Sequence, residues 1–237
     1  TCSTFSGTLP AFSLADVAFS VKDRDILNGV TFDILKGSRT VLLGENGCGK
    51  TTLLRLISRL EKPTRGVILQ NIDDKFGQKS KQSKKWYKKV GVVYQNPDYQ
   101  LFMQTVEKEI KFGAKSDEYA DEIAEKFGIK HLYARHPQSL SEGQKRRVSI
   151  AAVVATDPEV LILDEPTVGQ DYKGLCEMVE VLNKLHEEAH NTMITVTHDK
   201  RCAAALCDKS VWIKNGKTYK TGGKELVDEF FIQIGVN

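Results

Sequence analysis

Apolar positions along the chain change period several times, and each change marks an element. Between Phe12 and Val21 apolar and polar residues alternate loosely, which predicts a strand. Val30, Phe32 and Ile34 face one way while Thr31 and Asp33 face the other, a second strand that Lys36-Gly37-Ser38 then turns. Thr40-Val41-Leu42-Leu43 is a short apolar strand entering a glycine-rich loop. Leu53, Leu54, Leu56, Ile57 and Leu60 recur at helical spacing, with Pro63 and Gly66 expected to end that helix. Val67-Ile68-Leu69 predicts another strand.

From about Asp98 to Ala155 the pattern is mostly helical. Val160-Leu161-Ile162-Leu163 is apolar without alternation, as suits a parallel strand covered on both faces. Leu175, Met178, Val179, Leu182 and Leu185 form one helical stripe, and Ile194-Thr195-Val196-Thr197 is the next strand. Val211-Trp212-Ile213 and Thr218-Tyr219 flank Asn215-Gly216, a hairpin signal. Strands alternating with helices predict an α/β core on a parallel sheet, and no internal repeat is visible.

Composition narrows the class. The 237 residues are 41% hydrophobic and 27% charged, ordinary globular values that need no disulfide or metal staple. The 34 basic against 31 acidic residues leave a net charge of +3, too little to imply nucleic-acid binding. No run approaches the roughly 18–20 apolar residues that span a bilayer. No signal-peptide pattern opens the chain, and residue 1 is Thr, so the sequence is read as trimmed or as part of a longer protein. The five cysteines include no Cys-x-x-Cys pair, and Cys202 and Cys207 lack partners at zinc spacing, which predicts a reduced, cytosolic protein. The lysine-rich stretch from Lys75 to Lys89 reads as a solvated loop and helix face, with a membrane-surface or partner contact as the alternative.

Candidate chemistry begins at Gly44-Glu45-Asn46-Gly47-Cys48-Gly49-Lys50-Thr51, which matches Gly-x-x-x-x-Gly-Lys-Ser/Thr between an apolar strand and an amphipathic helix. Glycines let the backbone wrap a polyphosphate with several N–H groups inward, and the helix N-terminus adds partial positive charge. Lys50 brings a compact cation to the β- and γ-phosphates, and the Thr51 hydroxyl can ligate Mg²⁺. Thr52 completes the expected nucleotide contacts in this segment. Farther on, Leu161-Ile162-Leu163 delivers Asp164 and Glu165 to the carboxyl end of a strand, where α/β folds bind ligands. Asp164 is expected to hold Mg²⁺ through water, and Glu165 to take a proton from the attacking water or orient it.

Leu140-Ser141-Glu142-Gly143-Gln144 lies with Ser141 23 residues before Asp164. Together with the loop and the strand-end carboxylates, it resembles the nucleotide-binding domain of ABC ATPases over about residues 13–224. The resemblance implies a P-loop NTPase (RecA-like) α/β core with a parallel sheet, an N-terminal antiparallel β subdomain and an α-helical subdomain. The chain is then one nucleotide-binding domain, 1–237, with core and β subdomain at 1–95 and 156–237 and the helical subdomain at 96–155. It implies Gln95 as the glutamine that contacts Mg²⁺ and the attacking water, and His198 as the histidine at the γ-phosphate. Gly169, Gln170 and Asp171 fall where the family's D-loop lies. Two domains of the family pack head-to-tail, so Ser141, Gly143 and Gln144 are expected to face a nucleotide bound on the second domain. ATP and Mg²⁺ are the implied cofactors.

Tyr94-Gln95-Asn96-Pro97-Asp98-Tyr99-Gln100-Leu101-Phe102 narrows the resemblance to energy-coupling-factor transporter ATPases. That subgroup implies a second ABC ATPase domain and a transmembrane transporter subunit as partners, no nucleic acid, and a place on the inner face of the cell membrane. It implies import of a vitamin or metal ion. Soluble ABC ATPases of DNA repair or translation are the alternative, as is a regulatory nucleotide-binding module. The repair type needs a coiled coil between Lys50 and Ser141, the translation type needs two cassettes, and Glu165, Gln95 and His198 count against a non-hydrolytic regulator. Three positions depart from the family pattern. Glu142 replaces a glycine, Gln170 replaces a leucine, and Val21 stands where an aromatic ring usually meets adenine.

Overall fold

The computed structural model describes residues 10–22, 24–72 and 86–235. Most of the lysine-rich stretch at 75–89 therefore lies outside the described residues. Two sheets organise the chain. Strands β1 (Pro10–Val21), β2 (Arg24–Leu35) and β4 (Arg65–Gln70) form an antiparallel sheet in the order β2-β1-β4. Strands β3 (Arg39–Leu43), β5 (Val90–Val93), β6 (Val160–Asp164), β7 (Thr192–Val196), β8 (Lys209–Lys214) and β9 (Lys217–Gly222) form the larger sheet, ordered β5-β6-β7-β3-β8-β9. All neighbours there are parallel except the β8–β9 hairpin, whose Asn215 and Gly216 both have positive φ, as a tight turn requires.

The apolar runs are continuous because the larger sheet is covered on both faces. Val160, Ile162, Ile194 and Val196 pack with α1 (Lys50–Ile57) and the antiparallel sheet. Leu161, Leu163 and Met193 pack with α2 (Val106–Lys111), α3 (Asp117–Lys126), α4 (Glu142–Val154) and α5 (Tyr172–Ala189). A third cluster joins Val41, Leu43 and Trp212 to α6 (Lys200–Ala205) and α7 (Lys224–Gln233). Helices α2 to α4 fall within 96–155, and their core runs on into the sheet face.

One boundary differs from the sequence pattern. Helix α1 stops at Ile57, before Leu60 and well short of Pro63, and Gly66 belongs to β4. Arg59 adopts φ 58°, and its turn sends the Leu60 N–H back to the Arg55 carbonyl at 2.9 Å. Satisfying the last carbonyls this way ends the helix without proline. Leu60 is left half exposed, whereas Leu53, Leu54, Leu56 and Ile57 are buried at about 1.5–3 kcal/mol each. That burial anchors the helix whose first residues are Lys50 and Thr51.

Candidate functional site

Parallel strands place their carboxyl ends on one edge. Here β3 ends before Gly44, β5 before Tyr94-Gln95, β6 at Asp164 and β7 before Thr197-His198. One cleft of about 470 Å³ collects Asn46, Gly47, Gly49, Lys50, Thr51, Thr52, Gln95, Asp164, Glu165 and His198 in its lining. The pattern of β3, β5, β6 and β7 therefore brings together residues spread over 150 positions of sequence.

The loop geometry is that of an anion cradle. Gly49 precedes α1 at φ 103°, a conformation that a side chain would strain, and it turns the first N–H groups of the helix toward the cleft. Gly44, Glu45 and Cys48 do not line that cleft. Glu45 and Cys48 border a neighbouring cavity lined also by Asn28 and the β8–β9 turn, and burial raises the Cys48 thiol. Lys50 is buried, and its Nζ donates to the Gly44 carbonyl at 2.6 Å and the Glu45 carbonyl at 3.0 Å. Its charge is thus held over the loop by neutral acceptors, which an anionic oxygen outcompetes.

Opposite stand two buried carboxylates. Thr51 Oγ1 donates to Asp164 Oδ2 at 3.4 Å, a long contact between two hard oxygen donors. Burial raises Asp164, while Thr51, Lys50 and Arg146 pull it back. Burial also raises Glu165, with Asp164 adding to the rise and the His198 N–H opposing it. Glu165 sits at φ 55°, a strained region for a glutamate, and its N–H is tied to the Val196 carbonyl at 2.9 Å. Its Oε2 accepts from the His198 backbone N–H at 3.2 Å, while Oε1 is buried with no hydrogen-bond donor. His198 Nε2 lies 3.5 Å from that Oε1, and burial with nearby Lys50 holds the imidazole below its ordinary pKa. A carboxylate in the cleft lining whose proton affinity burial has raised is suited to general-base chemistry.

Ser141, Gly143 and Gln144 do not reach the Lys50 cleft; they line a separate shallow surface with Gly169, Gln170 and Asp171. There Ser141 caps α4 in a reciprocal box: its Oγ accepts from Gln144 N–H at 3.3 Å, and Gln144 Oε1 accepts from Ser141 N–H at 3.1 Å. The Gln144 side chain is thereby committed to the cap. The Glu142 carboxylate lies 3.6 Å from Lys145 Nζ, one turn down the helix and away from the N-terminus. Val21, expected against a base, is about half exposed at the end of β1 and outside the cleft lining, where Arg24 and Ile26 stand instead.

Two supporting residues escaped the sequence reading. Arg146, 2% exposed, donates through Nη1 to the Tyr94 carbonyl at 2.7 Å and through Nη2 to the Gln95 carbonyl. Gln100 accepts from Tyr94 N–H at 2.9 Å and donates to the Val92 carbonyl at 2.8 Å. Between them the backbone of Gln95 is fixed relative to α4 and β5. No local signal marks Arg146, since a Lys-Arg-Arg run reads as a solvated helix face.

Comparison with known proteins agrees with this geometry. The sequence profile of the ABC transporter family matches residues 27–168. The chain is 41% identical over 214 residues to the energy-coupling factor transporter ATP-binding protein EcfA2 of Enterococcus faecalis, covering 84% of this chain and 72% of that protein. It is 40% identical over 210 residues to the protein of the same name from Bacillus subtilis, covering 84% and 76%. Among solved structures, CbiO1 of Clostridium perfringens, part of the ABC transporter complex CbiONQ, superposes with a TM-score of 0.79 at 32% identity, covering 93% of this chain and 91% of that one. A dimeric ATP-binding cassette in a post-hydrolysis state with ADP and phosphate gives 0.76 at 25% identity, covering 90% and 98%. A phosphate loop, a strand-end Asp-Glu pair and a facing histidine on this sheet, with matches of that extent, place the chain in the ABC transporter family, among its ATP-hydrolysing nucleotide-binding cassettes.

Proposed function

We propose that this chain is the ATP-hydrolysing subunit of an energy-coupling-factor importer, working with a second cassette and a separate membrane subunit. The observation that carries the chemistry is the convergence of Lys50, Thr51, Asp164, Glu165 and His198 on one cleft. The importer assignment is supported by the names and extents of the relatives at about 40% identity.

In this reading the Gly44–Thr51 loop wraps the phosphates, and Lys50 Nζ leaves its two carbonyls for the β- and γ-oxygens. Thr51, Asp164 and Gln95 supply oxygen donors that suit Mg²⁺, which would hold the β- and γ-phosphates and neutralise charge on them. Glu165 accepts a proton from water as the water oxygen bonds to the γ-phosphorus. The bond from that phosphorus to the bridging oxygen breaks, giving ADP and phosphate. His198 braces Glu165 and faces the γ-phosphate. The N-terminus of α4, with Ser141 and Gly143, meets the nucleotide held by the second cassette. Binding both phosphate sites at one interface makes association depend on the γ-phosphate.

A second surface supports the membrane partner. Beside the Gln95 segment, an apolar groove runs between Leu101, Phe102, Phe112 and Val153. Phe102 and Phe112 stack edge-on at 5.4 Å, and both are more than half exposed. No helix among the described residues is long and apolar enough to cross a membrane, so membrane attachment in this reading is through the partner. The test is reconstitution of the full chain with its second cassette and membrane subunit in vesicles. MgATP-driven uptake is expected, and Phe102→Asp is expected to lose the membrane subunit while still binding MgATP. Hydrolysis with no membrane protein recovered in association would overturn the importer reading.

A further inference from the structure

Gln170, one of the positions that departs from the family pattern, joins the two surfaces described above. The segment after β6 starts at Glu165 and reaches the α5 cap, Asp171, in six residues. It is a tight double turn: Val168 N–H returns to the Glu165 carbonyl at 3.4 Å and Gln170 N–H to the Thr167 carbonyl at 3.2 Å. From its far end the Gln170 amide crosses to α4, where Nε2 donates to the Gly143 carbonyl at 2.8 Å.

Backbone lies against backbone at this crossing. A Cβ on Gly143 would stand 3.0 Å from the Gly169 carbonyl oxygen and 3.2 Å from Gln170 Nε2. A Cβ on Gly174 would fall 2.5 Å from Gln170 Oε1, so the bare first turn of α5 leaves the space that the amide fills. A leucine at 170 could fill that space but could not donate to the carbonyl.

We propose that Gln170 is a positioning residue that locks the first turn of α4 to the loop carrying Glu165. It thereby ties the surface this chain offers to its partner's nucleotide to the hydrolytic carboxylate of its own site. The inference rests on the reading that the α4 N-terminus faces a nucleotide across the interface. Gln170 touches no nucleotide in its own cleft, whose lining excludes it. Its effect therefore belongs to turnover in the assembled pair and not to capture of ATP by the single chain.

The test compares Gln170→Met, which keeps volume and loses the donor, with Gln170→Glu, which aims a carboxylate at the carbonyl. Both are measured as ATP turnover of the full chain assembled with its second cassette and membrane subunit. Losing one part-buried hydrogen bond is expected to lower kcat about fivefold to tenfold in Gln170→Met, and further in Gln170→Glu, with KM for ATP within about twofold. Thermal melting of the single chain is expected to fall by no more than the few degrees that one part-buried hydrogen bond accounts for. Ser141→Arg, at the exposed cap of α4, tests the interface by itself. If Ser141→Arg abolishes turnover while both Gln170 variants behave as the parent, the clamp is overturned and the interface reading survives. If Ser141→Arg also turns over normally, the interface reading fails and the clamp with it. A loss that falls on KM and leaves kcat intact would place Gln170 in nucleotide capture and overturn the proposal.

Discussion

Glu165 and His198 meet across the cleft through two contacts of different kind. The His198 backbone N–H donates to Glu165 Oε2 at 3.2 Å, while the ring Nε2 stands 3.5 Å from Oε1. The first contact fixes the carboxylate. The second is a long contact, and an imidazole held below its ordinary pKa puts little positive charge beside the carboxylate near pH 7. The histidine thus braces the base without neutralising it.

Replacing that carboxylate tests the assignment. Glu165→Gln keeps the shape and the His198 N–H contact but accepts a proton poorly. Turnover of the assembled protein is expected to fall about 10²–10⁴-fold while MgATP affinity changes little. Single-turnover hydrolysis alongside equilibrium nucleotide binding checks both halves. Near-normal turnover would remove Glu165 from the role of base.

Burial of the same carboxylate predicts a stability change with a definite sign. Glu165 is raised in the folded chain, so between the ordinary glutamate range and that raised value the folded state holds more protons than the unfolded one. Stability of the parent chain therefore falls as pH rises through that window. Glu165→Gln has no proton to lose. Its melting temperature without nucleotide is expected to exceed that of the parent by more at about pH 8 than at about pH 5. Differential scanning calorimetry across that range reads the trend, and a gain that shrinks with rising pH would contradict it.

The base end of the nucleotide gives a third test. Among the described residues lining the cleft there is no aromatic ring, and Arg24 and Ile26 stand where Val21 was expected. A guanidinium and an aliphatic side chain cover either purine. ATP and GTP are therefore expected to bind within about threefold of each other. Arg24→Ala is expected to weaken both by more than Val21→Ala does. Fluorescent-nucleotide displacement measures this, and a strong ATP preference would mean that an aromatic ring reaches the base.

Legibility followed the range of the interactions concerned. The cradle and the strand-end pair were readable because each is written in consecutive residues, Gly44 to Thr51 and Leu161 to Glu165, with the right element on either side. The hairpin at Asn215-Gly216 was readable for the same reason. Gln95 and His198 needed the family resemblance, since one glutamine and one histidine after a strand carry no signal of their own. The end of α1 was misplaced because a left-handed Arg59 stops the helix and no side-chain pattern announces it. Arg146 and Gln170 act across 51 and 27 residues of sequence, on backbone carbonyls that have no residue identity to read. The position of Val21 depended on where β1 ends relative to the cleft, a tertiary fact that a strand period does not contain.

The account turns on one nucleotide held between the Lys50 loop of one cassette and the α4 N-terminus of another. Light scattering of the Glu165→Gln chain with its second cassette, titrated with MgATP, tests this most directly. Association to a pair is expected with ATP and not with ADP, and Lys50→Ala in the same background is expected to abolish it. Separate cassettes at saturating MgATP, with nucleotide bound to each, would contradict the account.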